Sequence, residues 1–112
     1  MLSFLEFIME NTTYYYHVTY ARNWKTIQHK GLTPSVGKRS RKLSEKPAIF
    51  LFGSKDDAED ALMNWLGDEL EGYPVILLQV SLPPGVQAHK VAFEYQVFQP
   101  IPPQYIRNLG EI

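Results

Sequence analysis

The pattern of apolar and polar positions divides the chain into alternating strand-like and helix-like segments. Residues 14–20 (YYYHVTY) are almost entirely aromatic or β-branched, which favours a strand. Alternation puts Tyr14, Tyr16, Val18 and Tyr20 on one face and Tyr15, His17 and Thr19 on the other. The first set is the expected core side, and the second presents an imidazole beside a hydroxyl. Arg22 to Lys30 then spaces Trp24, Ile27 and Gln28 at helical intervals, and Lys30-Gly31 supplies the cation and glycine that end a helix. Leu32-Thr33-Pro34 leaves it as an extended segment. Ser35 to Lys46 has no apolar period and reads as a surface loop.

The apolar run Pro47 to Phe52 predicts a buried strand, closed by Gly53. Ser54 followed by Asp57 is an N-terminal capping signature, and the helix it opens places Ala58, Ala61, Leu62, Trp65 and Leu66 on one stripe before Gly67. Asp56, Asp57, Glu59 and Asp60 suit the positive end of its dipole. Tyr73 to Leu82 is the longest β-prone apolar run and predicts a central strand, stopped by Pro83-Pro84-Gly85. Val91 to Gln99 alternates again, with Glu94 and Gln96 sharing a polar face. Pro100-Ile101-Pro102-Pro103 leads into Gln104-Tyr105-Ile106, expected to pack against the sheet.

Composition narrows what chemistry this scaffold can carry. At 112 residues and 45% hydrophobic, the chain suits a single core. Residues 12–112 are read as that domain and residues 1–11 as a peripheral segment. The opening run MLSFLEFIM is interrupted by Glu6 and lacks the length of a membrane span, and the expected location is cytoplasmic. The chain has no cysteine, so thiolate chemistry and disulfides are excluded, and its three histidines are too scattered to suggest a metal site. His29 and His89 fit surface positions. A net charge of −1 argues against a generic nucleic-acid binder, yet it hides a separation of sign. Residues 38–46 hold five cations (Lys38, Arg39, Arg41, Lys42, Lys46), and residues 56–71 hold seven of the twelve acids.

The remaining candidates are His17 and Thr19 on one strand face, and Glu94 and Gln96 on another. Alternation alone fits a solvated outer face as well as a functional one. The order of motifs adds something further. Tyr16-His17-Val18-Thr19, then Asn23, Ile27 and Gly31-Leu32-Thr33-Pro34, resembles the opening block of ADP-ribosyltransferase-fold proteins. Ile49-Phe50-Leu51-Phe52 with Ser54 and the Ala58/Ala61 helix is similar to that family's second block. Glu94-Tyr95-Gln96-Val97 followed by Ile101-Pro102-Pro103 and Ile106 is similar to its catalytic-glutamate strand and tail. The resemblance covers residues 14–106 and is closest to the His-Tyr-Glu branch, in a minimal single-domain form.

That resemblance implies an α+β fold: a split β-sandwich of mostly antiparallel strands with two or three flanking helices around an NAD cleft. The implied activity is transfer of ADP-ribose from NAD to a macromolecular acceptor with release of nicotinamide, as in a bacterial or phage effector. It assigns catalysis to His17 and Glu94, and NAD binding to His17, Val18, Thr19, Phe50 and Gln96, with no metal. The basic residues 38–46 would meet the NAD pyrophosphate or the acceptor. One position departs from the family, because Phe50 and Phe52 stand where a tyrosine stacks on nicotinamide. A phenyl ring stacks as well but cannot hydrogen-bond. RNA 2′-phosphotransferases share the fold, but they carry an additional lobe for which this chain is too short. The alternative is a non-catalytic nucleotide- or protein-binding domain of the same fold.

Overall fold

The computed structural model describes residues 12–36 and 46–112. The expected roles of residues 1–11 and of the cations at 38–45 lie outside the described residues. Among the described residues six strands form two antiparallel three-stranded sheets. The first consists of β1 (Tyr15–Tyr20), β3 (Val75–Val80) and β6 (Ile106–Glu111), with β3 in the middle. The second consists of β2 (Ile49–Leu51), β5 (Glu94–Val97) and β4 (His89–Val91), with β5 in the middle. Among the described residues three α-helices accompany them: α1 (Trp24–Lys30), α2 (Lys55–Met63) and α3 (Leu66–Glu69). This is an α+β domain. None of these helices is long and apolar enough to cross a membrane.

The first sheet is covered on both faces. Ile76, Leu78 and Val80 of β3 join Ile27, Leu32, Ile49, Leu51, Val97 and Ile101 in one core, against which Tyr15 and Tyr95 also pack. Leu77 and Val18 face the other way, into a second core with Phe52, Ala58, Ala61 and Leu66. The apolar run expected to be a central strand is one, and burial on both faces is why it lacks alternation. The same fact corrects the reading of β1. Its Tyr16/Val18 face is core as expected, but its other face is covered too, since Tyr15 packs edge-on to Tyr95 with ring centroids 5.1 Å apart.

The helices follow their local signals. The Ser54 hydroxyl accepts the Asp57 backbone N–H at 3.0 Å, the cap its spacing predicts. The Ala58/Ala61 stripe is buried and packs with Leu62, Trp65 and Leu66. The predicted helix does not run unbroken to Gly67, however. It stops at Met63 and resumes at Leu66, with the Asn64 side chain donating to the Asp60 carbonyl at 2.7 Å. Helix α1 ends at Gly31, whose φ is 79° and whose N–H bonds the Ile27 carbonyl at 2.7 Å.

Two further expectations change. Residues 91–99 do not form one strand: β4 and β5 make a hairpin with Ala92-Phe93 as its two-residue loop. His89 lies in β4, exposed, with its ring 5.5 Å from that of Phe98. After a single turn at Pro103–Tyr105, the terminal segment becomes β6 and pairs with β3.

Candidate functional site

Among the described residues the two sheets are joined by backbone hydrogen bonds at one pair. Tyr16 N–H donates to the Phe52 carbonyl at 2.8 Å, and Phe52 N–H returns the bond to Tyr16 at 2.7 Å. In an antiparallel ladder the pair two residues along each strand, here Val18 with Phe50, would repeat this exchange. Among the described residues it does not. The His17 ring enters there instead, with Nδ1 2.8 Å from the Phe50 carbonyl. A carbonyl only accepts, so Nδ1 carries the proton in this contact. The sheets therefore part into a fork held by an imidazole.

Val18 adds a second kind of group. Its side chain is buried in the second core, so it meets the fork only through its backbone. Because Tyr16 turns its N–H and C=O toward β2, strand alternation turns those of Val18 to the same edge. That edge offers one donor and one acceptor, the complement of a primary carboxamide.

A cavity of about 370 Å³ opens beside the fork, a size suited to a small ligand. His17, Thr19, Asn23, Gly31, Ser35 and Phe50 are among its lining residues. Asn23 donates to the Thr19 hydroxyl at 2.9 Å, fixing that oxygen's position. Gly31 permits the wall to close tightly, because a Cβ there would lie 2.1 Å from the Ile101 carbonyl oxygen. That carbonyl accepts the Leu32 N–H at 2.9 Å, tying the Gly31-Leu32 turn to the segment ahead of Pro102-Pro103.

The candidates sort into a near and a farther group. His17, Thr19 and Phe50 line the cavity together. Gln96 is the cross-strand partner of Phe50 and shares its sheet face. Glu94 lies two residues along that face, opposite Val91, and does not line the His17 cavity itself. Phe52 is turned away into the second core, so Phe50 is the ring of that segment at the cavity. His29 is exposed on α1. Among the described residues no group of three or more His, Cys, Asp or Glu is arranged to hold a metal ion.

Sequence reasoning missed the contribution of Asn23 and Ser35 to the cavity. The four-residue spacing of Thr19 and Asn23 was the available signal for the first. Nothing local marks Ser35, which is brought in by a reciprocal backbone pair with Ala48. No family model, curated protein or solved structure matches this chain.

Proposed function

We propose that this chain is an NAD-dependent ADP-ribosyltransferase with an ADP-ribosyltransferase-like split sandwich. The observation that supports the reading is the fork, where an imidazole held at 2.8 Å by the Phe50 carbonyl adjoins the β1 edge that follows the Tyr16–Phe52 seam. A nicotinamide riboside fits that pairing of groups. The Val18 N–H and C=O would take the carboxamide, and the Phe50 ring would stack on the pyridinium face. His17 would hydrogen-bond a ribose hydroxyl, with Thr19 supporting the sugar.

Reaction breaks the bond between ribose C1′ and the pyridinium nitrogen. The bonding pair leaves with neutral nicotinamide, C1′ takes up cationic character, and an acceptor nucleophile attacks it and loses a proton. Glu94, on the Phe50/Gln96 face, is the carboxylate to stabilise that charge. Its benefit is catalytic because the charge develops only in the transition state. Gln96, between Phe50 and Glu94, would hold the 2′-hydroxyl side of the sugar. The basic residues 38–46 are the proposed contact for the pyrophosphate or a macromolecular acceptor, and the proposed location of the reaction is the cytoplasm.

A second reading has its own observation. Glu94 stands outside the lining of the His17 cavity, an arrangement that suits nucleotide binding without transfer. Nicotinamide release from NAD, measured with and without cell extract as acceptor, decides between them. Transfer predicts release that falls about a hundredfold or more in both His17→Ala and Glu94→Ala. Saturable NAD binding that His17→Ala weakens, with no release by the wild type, supports the binding domain. Neither binding nor release ends both readings.

A further inference from the structure

A second and larger cavity, about 570 Å³, lies between α2 and the β4–β5 hairpin. Its lining combines aromatic walls (Phe52, Trp65, Phe93, Tyr95) with the carboxylates Asp57 and Asp60. We propose that this groove is a docking site for an arginine side chain of a protein partner. The proposal is independent of NAD chemistry, because none of these residues lines the His17 cavity.

Three observations point to that occupant. First, the described lining carries more acid than base. Both aspartates are exposed on α2, in the acid-rich stretch 56–71, and among the described residues Lys90 is the cation that lines the groove with them. Second, the wall already attracts a cation. The Lys90 ammonium lies 6.0 Å from the centroid of the Tyr95 ring, at the limit of a cation–π contact. Third, the hairpin is built at a local cost to display an aromatic group. Among the described residues Ala92 is the non-glycine residue with positive φ, at 55°, and the next residue, Phe93, is 84% exposed. Left-handed backbone at a residue with a Cβ is disfavoured, and here it falls at the lip of the groove.

Flat aromatic walls with carboxylates beside them select guanidinium over ammonium. Guanidinium is planar, weakly hydrated and stacks on rings, while its forked N–H groups pair with carboxylate oxygens. A phosphate-bearing partner would be repelled by the same carboxylates.

The test uses the whole chain without NAD and reads tryptophan fluorescence, since Trp65 lines the groove. The probes are three acetylated tripeptide amides, Gly-Arg-Gly, Gly-Lys-Gly and the uncharged citrulline analogue of the first. The arginine peptide is expected to give a saturable change, with binding about tenfold weaker for citrulline and several-fold weaker for lysine. Asp57→Asn combined with Asp60→Asn, at exposed positions, is expected to weaken the arginine peptide about tenfold. His17→Ala is expected to leave its affinity unchanged. Equal binding of arginine and citrulline peptides overturns the proposal, as does no saturable response to any of them. An undiminished affinity in the double aspartate variant does so too.

Discussion

The two sheets are built from strands of similar chemistry but are finished differently. In the first, both faces of the central strand are buried: Leu78 is 0% exposed on one side and Leu77 is 3% exposed on the other. In the second, Leu51 and Val97 face the shared core at 0% exposure, while Phe50, Glu94 and Gln96 occupy an outer face that is only partly covered. The first sheet therefore holds the domain together, and the second spends one of its faces on groups with chemical capacity. The fork marks the border, since β1 contributes both a ladder strand to the first sheet and His17 to the cavity.

The sharpest test of that contrast is a pair of truncations, one on each sheet's face away from the shared core. Leu77→Ala should cost about 2–5 kcal/mol of unfolding free energy, the usual range for a buried leucine. Phe50→Ala, although it removes a larger side chain, should cost about 1–2 kcal/mol because its ring is only partly buried. Chemical denaturation measures both, and equal losses would remove the distinction between the sheets. Next in size is Gly31→Ala, which acts at the joint between α1 and the second sheet's flank. Its new methyl group would collide with the Ile101 carbonyl and sit at positive φ, so a loss of about 2–3 kcal/mol is expected. An unchanged melting temperature would mean that this joint yields easily. The smallest effect is expected at the hairpin tip. Ala92→Gly relieves a left-handed alanine and should raise stability by about 0.5–1 kcal/mol. A loss there would show that the φ of 55° is not a strained feature.

Much of the framework was legible from local pattern, because the relevant signals act within a few residues. The Ser54 cap, the Gly31 stop, the Ala58/Ala61 stripe and the central strand β3 all follow from chemistry of this kind. The failures share a different cause. Strand β6 contains Asn108 and Gly110, residue types depleted in strands. It is a strand because β3 offers it a ladder, with an irregularity between Ile76 and Leu78 and an Asn108 side chain that accepts the Gly110 N–H at 2.8 Å. The β4–β5 turn was hidden because Ala92-Phe93 has none of the Asn, Asp or Gly that usually announce such loops. At the site, alternation correctly paired His17 with Thr19 and Glu94 with Gln96 on their strand faces. It could not say how those faces lie relative to one another. That depends on the Tyr16–Phe52 seam, between residues far apart in sequence.

The order of strands within the first sheet also governs how quickly this domain can assemble. Its pairings join distant parts of the chain: even the nearest partners of β1 and β3, Tyr20 and Val75, lie on either side of α1, β2, α2 and α3. The β4–β5 hairpin closes over two residues and can form within microseconds, whereas β1 must wait for a long loop to close. During synthesis the aromatic strand β1 emerges well before β3, leaving its tyrosines and Val18 without their sheet partner until the chain has grown past Val80. Capture of β1 by β3 is therefore the expected slow step of folding. The catalytic fork proposed at His17 exists only after that capture is complete.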